Sequence, residues 1–580
     1  MRMTAHTTTR GQSELAAVRR ESRPLYWLVA VFSMVVNALM LVGPLYMLNV
    51  YDRVLGSGSI ETLIALTVLV AFLYGCMAIL DYVRGRIMAR VGARFQSRLD
   101  RRVFEATLAA TTTGKAMTQA SSGLRDLESV QRMIISPAVM AAYDLPFMPL
   151  FFFGIFLFHP DLGYLALSGA GLLILITIAN QIGTKKPLEE ANRSTHSAEM
   201  MGNLIRSESD MVQSLGMRNS VFGRWQQLRD KSLWATIVAS DMGGLFSALS
   251  KTLRLFLQSA MLGMGAYLAL QHELSPGAMI AGSILLGRAL APIEQIIGQW
   301  AAVVRAREGW SNLTVLLSEI PQDVPRTTLP RPRAILEASN VTVIPPGESQ
   351  AALRGISFRL EPGHAVGVIG TSGAGKSTLA KALTGIWRPA GGKIRLDGAS
   401  LDQYDPDTLG SYIGYLPQRV QLLDGTIKEN IARMALQPDD AAVVEAARRA
   451  GAHDMILRLP DGYDTRVSAL GGRLSGGQIQ RIGLARAMYG DPVILVLDEP
   501  NSNLDNDGSN ALNDAIRDFM SGGKCVLIMA HRPAAIQQCD MLMRIESGML
   551  MAFGPKDEVL RSMVANHREI QAKTGIGGVA

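Results

Sequence analysis

The sequence predicts a helical membrane domain of six spans with long cytoplasmic extensions, fused to an α/β domain built on a phosphate-binding loop. Three observations predict it. Six long apolar runs lie between Leu25 and Val304. Gly370-Thr371-Ser372-Gly373-Ala374-Gly375-Lys376-Ser377-Thr378, after the apolar run Ala365 to Ile369, satisfies G-x-x-x-x-G-K-[ST] at every position. Between the two parts, Pro321 to Arg333 holds four prolines and no hydrophobic period, which reads as a linker. The expected division is a cytoplasmic tail over 1–24, a membrane domain over 25–320, a linker over 321–333, a nucleotide-binding domain over 334–560 and a second tail over 561–580.

Composition agrees with this division. A chain of 580 residues has room for two or more domains, and 48% hydrophobic residues with a mean hydropathy of +0.18 exceed the usual soluble composition. The net charge of +7 would suit nucleic acid or an anionic lipid surface, so its distribution has to decide. Cys76, Cys525 and Cys539 have no paired spacing and read as reduced thiols.

Met1 to Arg23 is polar and basic and lacks the apolar core of a signal peptide, so it is expected to stay attached on the cytoplasmic side. Runs at Leu25 to Val50, Ile60 to Leu80, Pro137 to Phe158, Leu162 to Ile182, Gly243 to Leu270 and Pro276 to Val304 reach the roughly 20 residues that a bilayer requires. The segment Arg84 to Ile135 carries ten basic residues against four acids, and Lys185 to Leu233 carries eight against six. The remaining loops are nearly free of Lys and Arg, so both long loops and both termini are cytoplasmic. The basic excess therefore belongs to cytoplasmic loops, and nucleic acid is not expected as a partner.

Both long loops should be helical extensions of the spans, with coupling segments around Gly123 to Met133 and Ser207 to Met217. Arg86, Arg90, Arg94, Arg98 and Arg102 recur every four residues. This ladder is either a solvated or headgroup-binding face or the lining of a basic vestibule for acidic cargo. In the last span Arg288, Gln295 and Gln299 share a face, with Glu294 beside it and Pro292 expected to bend the helix. Those polar groups either line a pathway or pack against a neighbouring helix.

The soluble half alternates strand-like runs with helical ones. In the phosphate loop, Gly370, Gly373 and Gly375 let successive backbone N–H groups, those of Thr371, Ser372, Ala374 and Thr378 among the loop's donors, turn toward phosphates at a helix N-terminus. Lys376 should bridge the β- and γ-phosphates of ATP, and Ser377 should bind Mg²⁺. The buried-strand run Val493 to Leu497 ends in Asp498, suited to Mg²⁺, and Glu499, a candidate general base for the attacking water. His531, beyond the strand run Cys525 to Met529, should lie near the γ-phosphate.

Leu474-Ser475-Gly476-Gly477-Gln478, with Gln480-Arg481 after it, makes the resemblance specific. The phosphate loop, Gln418 in Tyr-Leu-Pro-Gln, this signature, Asp498-Glu499, Ser502-Asn503-Leu504-Asp505 and His531 follow one another as in an ABC ATPase, which the domain closely resembles. The resemblance implies that Gln418 serves both Mg²⁺ and catalysis, and that Asp505 contacts ATP. It also implies that Ser475, Gly476, Gly477 and Gln478 close over the γ-phosphate held by a second subunit. With one membrane half and one ATPase half per chain, a homodimer is implied.

The stretch Pro44-Leu45-Tyr46-Met47-Leu48-Asn49-Val50-Tyr51-Asp52-Arg53-Val54-Leu55 is similar to the first membrane hairpin of bacterial type I secretion permease/ATPases. Tyr143-Asp144-Leu145-Pro146 and Arg288-Ala289-Leu290-Ala291-Pro292-Ile293-Glu294-Gln295 are similar to later parts of that group. The likeness implies an ABC exporter half-transporter in the inner membrane. Its cargo would be an unfolded polypeptide, commonly an acidic calcium-binding repeat protein with a C-terminal signal, passed to a periplasmic adaptor and an outer-membrane channel. With about 24 residues before the first span, no N-terminal peptidase domain is expected. An exporter of lipid or small molecules on the same fold is the alternative. A non-transporting regulatory ABC protein is the third, and Glu499 and His531 count against it. Two departures stand out: Asn340 to Leu353 contains no aromatic residue to stack on adenine, and Thr465-Arg466-Val467-Ser468-Ala469 replaces the acidic sequence usual before the signature.

Overall fold

The computed structural model describes residues 2–114, 117–322, 326–468, 474–530 and 536–562. The chain forms two compact units, one of Met1–Thr111 with Lys115–Gln322, the other of Thr112–Gly114 with Asp323–Ala580.

Among the described residues, the first unit has six helical segments long and apolar enough to cross a membrane: Arg23–Ser57, Ile60–Thr113, Pro137–Phe158, Pro160–Ser207, Arg218–Leu270 and Pro276–Gly298. Each contains or overlaps one of the six apolar runs of the sequence; the last, expected to continue to Val304, ends at Gly298, with Gln299 breaking the helix before Trp300. Three are much longer than a bilayer requires. Helix α4 (Ile60–Thr113) has 54 residues, α8 (Pro160–Ser207) 48 and α10 (Arg218–Leu270) 53. At 1.5 Å per residue each runs for roughly 70–80 Å, against a hydrocarbon core of about 30 Å. The excess forms the long cytoplasmic extensions. Short helices stand at the two expected coupling segments, α5 (Gly123–Ile134) and α9 (Ser209–Ser214).

The first span is broken into α2 (Arg23–Leu39), α3 (Val42–Asn49) and a π-helical turn over Val50–Val54. The turn places Asp52 over the start of α11 (Pro276–Gly298), where its carboxylate accepts from Ser275 Oγ at 2.6 Å and the Gly277 N–H at 2.9 Å. A carboxylate at a helix N-terminus satisfies orphan donors and the helix dipole together. A Cβ on Gly277 would come within 2.6 Å of that carboxylate and push it away from the helix start.

The polar N-terminal stretch, expected as a tail, is helix α1 (Arg2–Glu21) packed on α12 (Trp300–Glu319). Leu15 is fully buried, and the Gly11 N–H donates to Ser318 Oγ at 2.9 Å. The acids of α1 answer part of the arginine ladder on α4. Arg102, buried, donates to Glu14 at 2.8 Å and to the Ile320 carbonyl at 2.6 Å, while Arg94 and Arg98 lie 3.6 and 3.4 Å from Glu21. Arg102 is thus part of a helix-packing face, while Arg94 and Arg98 keep about half of their side chains exposed beside Glu21.

The second unit is built on a six-stranded sheet. Its strands are β3 (Ala365–Ile369), β6 (Ile413–Leu416), β9 (Ile494–Asp498), β10 (Cys525–Met529), β11 (Met541–Glu546) and β12 (Met549–Pro555), in the order β12-β11-β3-β10-β9-β6. All pairings are parallel except β11 with β12. Strands β9 and β10 are buried along their whole length, as continuous apolar runs require in a sheet covered on both faces. An antiparallel sheet of β1 (Leu336–Val343), β2 (Leu353–Leu360), β4 (Gly391–Leu396) and β5 (Ala399–Ser400) completes the unit's second core. Burial pushes the Cys525 and Cys539 thiols up to about 11 and about 12, so both are inert.

Candidate functional site

Strand β3 delivers the chain into the phosphate loop, and helix α13 (Lys376–Leu383) leaves it. Gly373 and Gly375 have φ of +79° and +105°, backbone that residues with a Cβ rarely adopt. Gly370 is fixed by space instead, since a Cβ there would meet the Ile545 carbonyl at 2.2 Å. The Lys376 ammonium donates to the carbonyls of Gly370 at 2.8 Å and Thr371 at 3.0 Å, so the loop closes on its own lysine. Burial pulls the Lys376 pKa below the ordinary lysine value, with the charges of Glu499 and Asp498 opposing. A compact, partly desolvated cation beside glycine N–H groups is suited to phosphate oxygens.

Parallel pairing brings the ends of β3, β10, β9 and β6 together at one sheet edge, where ligands of open α/β sheets bind. Asp498 ends β9 and is 3% exposed. Its burial lifts the carboxyl pKa above the usual range, while a hydrogen bond from Ser377 opposes the shift and Glu499 reinforces it. Tyr415 on β6, half-buried and near Asp498, is pushed up to about 12 and stays a neutral phenol.

Glu499 has φ +51°, a left-handed conformation that costs a residue with a side chain about 1–3 kcal/mol, held by its N–H bond to the Met529 carbonyl at 2.9 Å. The strained turn lifts its carboxylate off the strand line to meet Gln418, whose Nε2 donates to Glu499 Oε2 at 3.1 Å. The site therefore joins residues 377, 418, 498 and 499 in two side-chain contacts, Ser377 with Asp498 and Gln418 with Glu499.

The signature begins helix α15 (Gly476–Met488 by range, preceded in the domain by α14, Asp440–Arg449). Ser475 caps it reciprocally: Ser475 Oγ accepts from the Gln478 N–H at 3.3 Å, and Gln478 Oε1 accepts from the Ser475 N–H at 2.8 Å. Buried Gln480 donates to the Pro500 carbonyl at 3.1 Å, linking the signature helix to the turn that carries Glu499. Asp505 caps α16 (Asn506–Ser521) through the Gly508 N–H at 2.8 Å and accepts from Arg481 at 3.0 Å. Those bonds give Asp505 a positioning role in this chain; contact with ATP remains an expectation. His531 lies outside the described residues.

In the membrane unit, Arg288, Glu294, Gln295 and Gln299 line one cavity together with Arg254 and Gln258 of α10. Arg254 Nε donates to Glu294 Oε2 at 2.5 Å. A second polar cluster joins three spans: Arg84 donates to Asp144 at 2.8 Å and Ser33 Oγ at 3.0 Å, and Asn37 donates to Asp144 at 2.8 Å. Sequence reasoning missed Arg254, Arg84, Asn37 and Gln480 as partners. The one available signal was that ionisable residues interrupt apolar runs.

Fold and site together define an ATP-driven ABC exporter. Residues 353–502 match the family model described as ABC transporter, and residues 26–290 the ABC transporter transmembrane region. The chain is 39% identical over 574 residues to the type I secretion system ATP-binding protein PrsD of Rhizobium meliloti, covering 99% of this chain and 98% of that protein. It is 28% identical over 547 residues to the cyclolysin secretion/processing ATP-binding protein CyaB of Bordetella pertussis (92% and 75% covered). It is 26% identical over 550 residues to the leukotoxin translocation ATP-binding protein LktB of Mannheimia haemolytica (93% and 77%). A bacterial Atm1-family ABC exporter solved with ATP bound shares the fold with a TM-score of 0.76 at 22% identity, over 96% of this chain and 99% of that one. The chain belongs to the ABC transporter family, among its type I secretion ATP-binding proteins. It is a membrane protein that couples ATP hydrolysis to transport, with the ABC domain on the cytoplasmic side.

Proposed function

We propose that this protein is the inner-membrane translocase of a type I secretion system, acting as a homodimer. It would export an unfolded polypeptide, of the acidic calcium-binding repeat type with a C-terminal signal, through a periplasmic adaptor and an outer-membrane channel. The observation that carries the reading is the 39% identity to PrsD along virtually the whole of both chains, membrane half included. Export of lipid or small molecules remains the alternative outcome of the test below.

The residues fit a triphosphate and Mg²⁺. The donor set offered by Ser377, Gln418 and Asp498 is all oxygen, as Mg²⁺ demands, and Asp498 is already paired with the Ser377 hydroxyl. When bound, the cation neutralises charge on the β- and γ-phosphate oxygens. Lys376 exchanges its two loop carbonyls for phosphate oxygens, a replacement its present bonds pre-organise. Glu499 orients a water and takes its proton as the water oxygen bonds to the γ-phosphorus and the bond to the departing ADP oxygen breaks. Gln418 holds the Glu499 carboxylate in place. His531 is assigned to the γ-phosphate, and Ser475 to Gln478 to the nucleotide of the opposite subunit. With the phosphates so gripped, binding energy can favour a closed dimer, and hydrolysis releases it.

The test is the ATPase rate of the full-length protein in lipid nanodiscs, with C-terminal peptides of acidic repeat proteins or with lipids and small molecules added. A saturable response to peptide supports secretion. A response to lipid or small molecules alone moves the assignment to the alternative.

A further inference from the structure

The α10–α11 cavity of about 640 Å³ carries chemistry that the ATPase reading does not use. Arg288 stands twelve residues after Pro276, about 18 Å along α11 at 1.5 Å per residue, and so within the depth of a roughly 30 Å hydrocarbon core. A cation at that depth is tolerated only where it meets water, a counter-charge or a ligand. The ionisable groups lining the cavity are Arg254, Arg288 and Glu294. The 2.5 Å bond between Arg254 and Glu294 uses the single carboxylate. Arg288 is exposed to the cavity and has no ion pair among the described residues, which leaves one surplus positive charge.

Around that charge stand three amides, Gln258, Gln295 and Gln299, each able to donate and accept as a peptide group does. A Cβ at position 287 would come within 2.0 Å of Gln258 Nε2, so Gly287 makes room for one of them. Pro292 cannot donate to the Arg288 carbonyl four residues earlier, which leaves another acceptor on the same helix. The volume lies in the range that holds a drug-sized ligand, about 300–1,000 Å³, enough for a few residues of extended chain and far too small for a folded domain.

We propose that this cavity is a carboxylate-reading site of the export path: the Arg288 guanidinium pairs with Asp or Glu side chains of an extended polypeptide while the glutamines take its backbone amides. This rests on the polypeptide-export reading above. A guanidinium matches a carboxylate bidentately, which adds geometric selectivity to the charge.

The experiment measures binding of two synthetic fluorescent glycine-rich peptides to the full-length protein in nanodiscs without nucleotide. One peptide carries aspartates, the other asparagines at the same positions. The wild type should favour the aspartate peptide by about tenfold, the scale of one charge-assisted hydrogen bond. Arg288→Gln should bring the two affinities together, and Arg288→Lys should keep most of the preference. Gln295→Glu leaves Arg288 in place but cancels the surplus charge, so it should erase the preference even if the Arg288 variants do not fold. Aspartate preference retained in Arg288→Gln, or in Gln295→Glu, overturns the proposal while the protein still counts as a polypeptide binder. A wild type that binds neither peptide but binds lipid overturns the polypeptide reading, and the proposal with it.

Discussion

The ATP site and the membrane cavity are both clusters of charged and amide side chains, yet they are assembled in opposite ways. At the proposed ATP site a few short stretches, 370–378, 418 and 498–499, bring together almost every described group, because a triphosphate has one fixed shape and its cradle must repeat that shape in backbone. In the membrane unit the pairs Arg84 with Asp144 and Arg254 with Glu294 join residues 60 and 40 positions apart, on different helices. There the requirement is only that buried charge finds a partner. Fixed ligands write motifs, and passages write pairs.

The largest expected effect breaks the ATP site. Glu499→Gln should keep nucleotide binding and lower the hydrolysis rate by about a hundredfold or more, the usual contribution of a positioned general base. Single-turnover hydrolysis in the purified protein measures it. Steady turnover retained in the variant would assign the proton to another group and dissolve the role given to the Gln418–Glu499 contact.

Next is the Arg84–Asp144 pair, which sharpens the claim that membrane pairs demand only complementarity. Arg84 is 6% and Asp144 8% exposed, so Arg84→Met leaves the buried Asp144 carboxylate with no counter-charge and should cost about 3–5 kcal/mol, whereas Asp144→Leu leaves Arg84 its second partner, the exposed Asp81 at 2.6 Å, and should cost less. The double variant should recover most of that loss in detergent-based unfolding. Additive losses would show that the two residues act separately and that the pairing rule fails here.

A third test concerns pH. Burial raises the Asp498 pKa, so its carboxylate takes up a proton at higher pH than a free aspartate. On acidification from about pH 7 to about pH 5, Mg²⁺-ATP affinity should fall, because the proton competes for the carboxylate. Apo stability should gain from the same group, because the folded pKa exceeds the unfolded one and protonation relieves a buried charge. Affinity and melting temperature measured at both values, in wild type and Asp498→Asn, check the opposed signs. Equal slopes in the two proteins would remove Asp498 as their source.

Much of the fold was legible because its signals are local. Six apolar runs set the spans, and β9 and β10 read as buried strands from uninterrupted Val, Ile and Leu. The Gln418–Glu499 contact was foreshadowed by two motif residues, although their meeting depends on the left-handed turn at Glu499, which no pattern announces. Asp52 was visible only as part of a familiar stretch; its bond to the Gly277 N–H, 225 residues on, supplies the physical reason. Helix α1 was read as a tail because its mean polarity hides one buried Leu15 and two glutamates whose partners lie on α4. The arginine ladder meets the same limit: periodicity shows that charges share a face, and says nothing of what covers it, as the burial of Arg102 beneath α1 shows.

That last point yields the smallest and most graded prediction. Arg102 is buried beneath α1 and gives hydrogen bonds to Glu14 and to the Ile320 carbonyl, whereas Arg94 and Arg98 are about half exposed beside Glu21. Glu14→Gln should cost about 1–3 kcal/mol, the price of weakening a charge-assisted bond to a buried guanidinium. Glu21→Gln should cost about 0.2–1 kcal/mol and nothing measurable at high salt, because water and ions already screen that pair. Thermal unfolding of both variants at low and high ionic strength separates the two. If Glu21→Gln proved the more damaging, the C-terminal half of the ladder would be held by something other than its burial beneath α1.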